Sequence, residues 1–326
     1  MKHDVRTPKR RARLGAVVVL ALLVGACGSG DGDEAASGAT TTTAAAEPLP
    51  EPVQQIDIDG TEYTFDMSPD PAGGLLPGWT LVRFRNIGDE AHQAMFAGLK
   101  EGVEFDQLAT AGAGDSSGSA VIEFVDMLGG VSYIDADQET TALVDLPAGV
   151  VPAMCYVPTA EGVAHALLGM STLLQVSEAT PAGDVANPGD AAPAPELDDP
   201  TVVGTIELAA DGYKIPSDMP VGWYHVVNTD DADPALGLHE MALVRLDESL
   251  DDDEVDDLVI ELANNETPSV GLDAVGGLGA ISPGFDGYLY LDLEPGQYVA
   301  VDFMPDPGEP RPHMLDGYYA SFTVDG

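Results

Sequence analysis

Two histidines, one cysteine and one methionine are the residues of this sequence best suited to chemistry. His92 follows a predicted strand and turn, and Cys155, His165 and Met170 come close together later in the chain. An imidazole, a thiolate and a thioether can each bind a transition metal. A structural role is also open to them, because a buried cysteine packs as a small apolar side chain and histidines can fix loops by hydrogen bonding.

The order of these four residues resembles the type 1 copper site of the cupredoxins. Nine residues separate Cys155 from His165, and four separate His165 from Met170. The resemblance implies that one copper is bound by His92, Cys155, His165 and Met170, with the thiolate and imidazoles in a plane and the thioether as a weak axial ligand. It also implies single-electron transfer with a redox partner protein. Copper delivery or storage is an alternative.

A second set of residues repeats part of this pattern later in the chain. His239 and His313 occupy the corresponding positions, but Asp302 stands in place of the cysteine and Tyr318 in place of the methionine. A type 1 copper site cannot form from these residues. Two possibilities remain: the histidines and Asp302 form a harder metal site, or the histidines are structural in both places.

The sequence contains a tandem duplication. The recurring residues, at an offset of 147 or 148, are His92 and His239, Gly129-Gly130 and Gly276-Gly277, and His165 and His313. An offset this constant indicates two copies of one folding unit. We predict one domain at 53–176 and another at 201–326, joined by a linker at 177–200 that is rich in alanine, proline and aspartate.

Each copy is predicted to consist mainly of β-strands. Residues 79–85, 287–293 and 298–303 alternate in polarity or are rich in β-branched and aromatic side chains, and turn residues bound them. One helical stretch interrupts each copy, at 105–110 and at 251–263. We therefore expect an all-β protein of two tandem Greek-key β-sandwich domains, cupredoxin-like, each with a short helical insertion.

The N-terminal region has the features of an export signal. A basic head precedes an uncharged apolar stretch, residues 14–26, which is too short to cross a bilayer comfortably as a helix. It ends in Val24-Gly25-Ala26-Cys27, which resembles the lipobox of bacterial lipoproteins. The resemblance implies a signal peptide at 1–26, lipid on Cys27 and an extracytoplasmic place on the cell membrane. Residues 27–52 are expected to be a disordered tether. An ordinary secretory signal followed by a cysteine is the alternative.

The chain is strongly acidic. It has 12 lysine and arginine residues against 56 aspartate and glutamate residues, and a formal net charge of −44. Such a surface repels phosphate backbones, so nucleic acid is excluded as a partner. Once Cys27 carries lipid, Cys155 has no cysteine with which to form a disulfide. A copper-bound thiolate would account for this single thiol.

The sequence argues against an enzyme. Copper oxidases and nitrite reductases have a histidine beside the ligand cysteine that bridges to a second copper centre, whereas Met154 and Tyr156 flank Cys155. We therefore expect a non-enzymatic electron carrier held on the membrane by its lipid. The alternative is a copper-free structural or partner-binding surface lipoprotein. The sequence indicates no oligomeric state.

Overall fold

The structure is a computed structural model that describes residues 47–70, 74–112, 119–177, 197, 200–231, 237–306 and 311–326. Residues Ala45–Gly326 form one compact unit. The predicted signal peptide, Cys27 and most of the predicted tether and linker lie outside the described residues. Within the described ranges, none of the helices has the length and apolar character needed to span a membrane.

The described part of the chain forms sixteen strands, eight in each half, with short helices between them. The strands of the first half are β1 (Gln54–Thr61), β2 (Thr64–Ser68), β3 (Gly78–Asn86), β4 (His92–Leu99), β5 (Val125–Ile134), β6 (Glu139–Leu146), β7 (Gly149–Met154) and β8 (Ser171–Val176). Those of the second half are β9 (Val202–Ala209), β10 (Gly212–Lys214), β11 (Gly222–Asn228), β12 (His239–Leu246), β13 (Leu272–Ile281), β14 (Asp286–Leu291), β15 (Gly296–Val301) and β16 (Tyr319–Val324). The helices are α1 (Phe105–Gly112), α2 (His165–Leu168) and α3 (Asp252–Ala263), with 3-10 helices at Ser119–Phe124 and His313–Asp316.

These strands build two eight-stranded sheets that pack against each other. The strand orders are β10-β9-β11-β14-β6-β3-β1-β2 and β16-β15-β12-β13-β5-β4-β7-β8. The largest core cluster joins Ile58 and Phe84 of one sheet to Ala94 and Phe96 of the other. The chain crosses between the sheets from β3 to β4 and again from β5 to β6. The prediction of an all-β fold from two related sandwich halves, each with a short helical insertion, is confirmed.

The two halves are joined strand to strand in both sheets. β5 pairs antiparallel with β13, and β6 pairs antiparallel with β14. Val131 lies opposite Leu278, and Ala142 lies opposite Leu289. In both pairs the partners are 147 residues apart, which is the offset of the duplication. Equivalent residues thus face each other at one position of each pairing, so an approximate two-fold axis relates the halves as it relates the subunits of a symmetric dimer.

This arrangement predicts that one half alone self-associates in solution. An isolated 53–176 fragment would expose the edges of β5 and β6, which β13 and β14 cover in the intact chain. An unpaired strand edge is a template for association. We therefore expect this fragment to self-associate and residues 45–326 to remain free of such aggregates. Size-exclusion chromatography with light scattering would measure this. A monodisperse, monomeric 53–176 fragment would contradict the prediction.

A double glycine lies at equivalent points of β5 and β13, where the neighbouring backbone approaches closely. Gly130 has a φ of +123°, and a Cβ there would lie 2.2 Å from the carbonyl oxygen of Ala94. Gly277 is similarly confined in the second half. The register of the pairing slips near the starts of β4 and β12, where His92 and His239 lie. A bulge of this kind redirects nearby side chains, and here those side chains are the two histidines.

Candidate metal centre

The structure brings His92, Cys155 and His165 together. His92 begins β4, Cys155 directly follows β7, and His165 begins α2. One ring nitrogen of each histidine and the Cys155 sulfur all lie within 4.8 Å of one another, and the three side chains are fully buried. Met170, just before β8, belongs to the same buried cluster as Cys155. The four residues singled out in the sequence thus lie in one region.

Backbone hydrogen bonds fix the loop that carries three of these residues. The amide of Cys155 donates to the carbonyl of Met170 at 3.1 Å, and the amide of Met170 donates to the carbonyl of His165 at 3.0 Å. The amide of Ala166 donates to the carbonyl of Cys155 at 2.8 Å. The backbone therefore holds the side chains in place before any ion binds, which is what a precise metal site requires.

The spacing of the ligand atoms suits a three-coordinate ion. The Nδ1 atoms of His92 and His165 are 3.1 Å apart, and the sulfur of Cys155 is 3.6 Å from Nδ1 of His165. With metal–nitrogen bonds of about 2.0 Å and a metal–sulfur bond of about 2.3 Å, a trigonal plane separates its ligand atoms by roughly 3.5 Å. The residues present therefore fit a copper ion bound by one thiolate and two imidazoles.

Burial sets the protonation of the site. Burial, together with the charge of His165, lowers the pKa of His92 to about 4. Burial also lowers the pKa of His165 and raises the pKa of the Cys155 thiol to about 12. The imidazoles are neutral at pH 7 and can act as ligands. The thiol must release its proton when a metal binds, so metal affinity is expected to decrease as the pH decreases.

Two glutamates that the sequence did not single out lie behind the histidines. Glu90 Oε2 is 3.0 Å from Nε2 of His165. Glu62 Oε1 and Nε2 of His92 both crowd Gly88, lying 2.5 and 2.9 Å from the position of a Cβ on that glycine. A carboxylate that accepts a hydrogen bond from Nε2 would orient a metal-binding histidine and leave its Nδ1 for the metal, although neither Nε2 makes a well-formed hydrogen bond within the described part of the chain. The sequence gives one indication of these glutamates, which is that Glu90 lies two residues before His92.

Acid is expected to destabilise the metal-free protein through His92. Its pKa is 6.5 without the fold and about 4 within it, so the unfolded chain takes up a proton first as the pH falls. The stability from neutral His92 is fully present above about pH 6.5 and is lost towards pH 4, by up to about 1.4 kcal/mol for each pH unit. Urea unfolding measures the free energy of unfolding at each pH. Its decrease from pH 7 to pH 5 should be smaller for His92→Gln than for the wild type. Equal losses would contradict this assignment.

His239, Asp302 and His313 also converge, in the second half. Asp302 Oδ2 lies 2.8 Å from Nδ1 of His239 and 3.1 Å from Nδ1 of His313. Burial lowers the pKa of His313, but the hydrogen bonds and charges of Asp302 and Asp306 together outweigh burial and raise it overall. Tyr318, at the position equivalent to Met170, stacks on His239 with ring centroids 3.8 Å apart. A carboxylate and a phenol thus replace the thiol and thioether around two retained histidines.

A cavity of about 490 Å³ lies between the loops of the two clusters. Its walls include Tyr156 of the first loop, Phe303 of the second and the side chain of Glu240. Glu240 accepts a hydrogen bond from Ser132 at 2.7 Å, and burial raises its pKa to about 8. The metal-ligating candidates of both clusters are absent from the lining residues, so the cavity is separate from either cluster.

No protein-family model matches this chain. No curated protein matches it either. Solved structures similar to it include the reduced auracyanin of Roseiflexus castenholzii, which is 16% identical, with 38% of this chain and 96% of that chain covered and a TM-score of 0.27. Auracyanin A, a "blue" copper protein from Chloroflexus aurantiacus, is 22% identical, with 38% and 98% covered and a TM-score of 0.26. A multicopper oxidase is 15% identical, with 86% and 92% covered and a TM-score of 0.24.

Proposed function

We propose that this protein is a membrane-anchored, extracytoplasmic lipoprotein with cupredoxin-like domains that binds one type 1 copper and transfers single electrons. The ligands are His92, Cys155, His165 and Met170. The observation that carries the proposal is the convergence of two imidazole nitrogens and one thiol in a fully buried pocket. We propose no enzymatic activity, since no histidine neighbours Cys155 to bridge to a second copper.

The protein would contribute a fixed set of donors that suits both oxidation states. Copper, when bound, supplies a single-electron couple. The sulfur atoms of Cys155 and Met170 suit Cu(I), and the imidazoles suit Cu(II) as well. Because backbone hydrogen bonds hold the loop, the ligands can keep their positions in both states. Burial of the thiol also keeps water and oxidants away from it.

An exposed apolar surface next to His165 supports contact with a redox partner. Leu167 and Leu168 follow His165 in α2 and are 48% and 45% exposed. Exposed apolar side chains beside a functional group are typical of protein interaction sites. A small apolar contact of this kind suits a short-lived complex, with the electron passing by way of the His165 side of the site.

A copper-free surface lipoprotein is the second candidate, and one distance favours it. The 3.1 Å between the Nδ1 atoms of His92 and His165 is also an ordinary hydrogen-bond length. A neutral histidine can donate from one Nδ1 to the other, and Cys155 can pack beside them as an apolar residue. In this case the cluster would only stabilise the loops. Copper delivery or storage uses the same ligands as electron transfer and differs from it in redox cycling.

Copper loading separates these functions. Residues 45–326, the compact unit, are mixed with one equivalent of Cu(II) and followed by visible absorption and metal analysis. We expect one copper for each chain and an intense visible band from thiolate-to-copper charge transfer. Reduction should bleach the band and reoxidation restore it, whereas a delivery or storage site need not cycle. A colourless protein whose Cys155 still reacts with a thiol reagent would rule out the copper function.

The membrane anchor has a separate test. With the intact chain expressed in a bacterial host, we expect the wild type in the membrane fraction and its release by detergent, because two or more acyl chains hold a protein stably. A Cys27→Ser variant cannot carry the lipid and is expected to leave the washed membrane fraction or to remain as unprocessed precursor. A mature Cys27→Ser protein that stays membrane-bound would contradict the anchor.

A further inference from the structure

We propose that His239, Asp302 and His313 form a second metal site, which takes a divalent cation such as Zn(II). The site lies in the half of the chain that the copper function leaves without a role. It shares no ligand with the first site and does not depend on copper being bound there.

The first support is the geometry around Asp302. Its Oδ2 faces both imidazoles, at 2.8 Å from Nδ1 of His239 and 3.1 Å from Nδ1 of His313. Its Oδ1 accepts a hydrogen bond from the amide of Met304 at 2.9 Å, so the carboxylate is held in this orientation. The side chain of Asp302 is fully buried, and one ligand atom from each of the three residues falls within a 4.8 Å group.

The second support is a pair of outer carboxylates. Asp230 Oδ2 is 3.1 Å from Nε2 of His239, and Asp306 Oδ1 is 3.3 Å from Nε2 of His313. Metal-binding histidines commonly donate their second ring N–H to a carboxylate, which fixes the tautomer. If each Nε2 donates in this way, both neutral imidazoles direct a lone pair at Asp302 Oδ2. Three electron-rich atoms then face one another, and a cation between them removes the repulsion.

The donor atoms favour a divalent cation over Cu(I). Relative to the first half, the second half keeps both histidines but replaces the thiol with Asp302 and the thioether with Tyr318. The Tyr318 hydroxyl is buried and, within the described part of the chain, has no hydrogen-bond partner. Nitrogen and oxygen donors are those that Zn(II) uses, whereas Cu(I) needs soft sulfur ligands. The net charge of −44 also attracts cations to the molecule.

Protonation of His239 and His313 is the alternative to metal binding at this cluster. Two imidazolium ions between Asp302, Asp230 and Asp306 would give a network of ion pairs without a metal, and the distances above allow this. The two arrangements differ in one measurable respect. A metal site binds one equivalent of cation with an affinity that depends on Asp302, whereas a protonated network binds none.

The experiment uses residues 45–326 with Cys155→Ser, which removes the thiolate of the first site. Co(II) is the spectroscopic probe, and Zn(II) competes for it. We expect one Co(II) for each chain with weak visible bands and no thiolate charge transfer, and stoichiometric displacement by Zn(II). Asp302→Asn should weaken Zn(II) binding by at least about 100-fold, and Asp230→Asn by about 10- to 100-fold.

Asp286→Asn is the matched control, because Asp286 contacts His225 at 2.8 Å outside the cluster. It should leave Zn(II) affinity unchanged. The less buried His313 provides a second ligand variant, His313→Gln, for the case in which Asp302→Asn does not fold. The proposal is overturned if the folded Cys155→Ser protein, checked by near-ultraviolet circular dichroism, retains neither Co(II) nor Zn(II). Zn(II) affinity that is unaffected by the folded ligand variants would also overturn it.

Discussion

Replacement of Cys155 by serine is expected to abolish the intense visible absorption of the copper-loaded protein and to weaken copper binding by at least about 100-fold. The thiolate is the only ligand of the set that can produce this charge-transfer band. A serine hydroxyl at the same place is a poor copper ligand and stays protonated. Copper titration followed by absorption and by competition with a chelator measures both effects.

Met170→Leu provides the comparison for this prediction. Met170 is fully buried in the same cluster, so both variants alter the pocket, but leucine removes only the weak axial ligand. We expect Met170→Leu to keep the visible band and to shift the reduction potential, because the axial ligand tunes that potential. A Cys155→Ser protein that keeps the band, or a Met170→Leu protein that loses copper altogether, would contradict the assigned roles.

Replacement of Gly277 by alanine is expected to destabilise the metal-free protein by about 3 kcal/mol or more. The residue has a φ of +119°, and an added Cβ would lie 1.9 Å from the carbonyl oxygen of Met241. That oxygen belongs to backbone in β12, so it cannot move aside without breaking the pairing with β13. The free energy of unfolding in urea measures the effect.

Gly98→Ala is the control for the glycine prediction. Gly98 also lies in a strand of this sheet, but the nearest atoms to a Cβ there are side-chain carbons at 3.7 Å. We expect this variant to change the free energy of unfolding by less than about 1 kcal/mol. Comparable losses for Gly277→Ala and Gly98→Ala would show that the close backbone contact at Gly277 is not the source of the effect.

Much of the fold could be predicted because it is encoded locally. Alternating strands such as residues 79–85 and the helical stretch at 251–263 correspond to β3 and α3. The duplication was visible because His92 and His239, or the paired glycines, recur at one offset. The continuous sheets were not predictable in this way. The pairing of β5 with β13 joins residues far apart in sequence, and such a pairing leaves no periodic signal within either strand.

The candidate site also has features that the sequence shows and features that it does not. The types of donor and their spacing from Cys155 to Met170 are properties of the sequence. The outer carboxylates Glu90 and Asp306 are not, because each lies in a loop among many other acidic residues. Only the folded loops decide which of those carboxylates faces a histidine.

The sequence by itself determined the number of repeats, the β-rich character of each and the soft donors in one copy against the oxygen donors in the other. It did so because composition, period and donor type are local properties. Only the tertiary structure decided that His92, Cys155 and His165 lie within reach of one ion and that Asp302 faces both His239 and His313. Those contacts arise from strand pairing, the register shifts in β4 and β12, and backbone hydrogen bonds within the loops, which bring distant residues together.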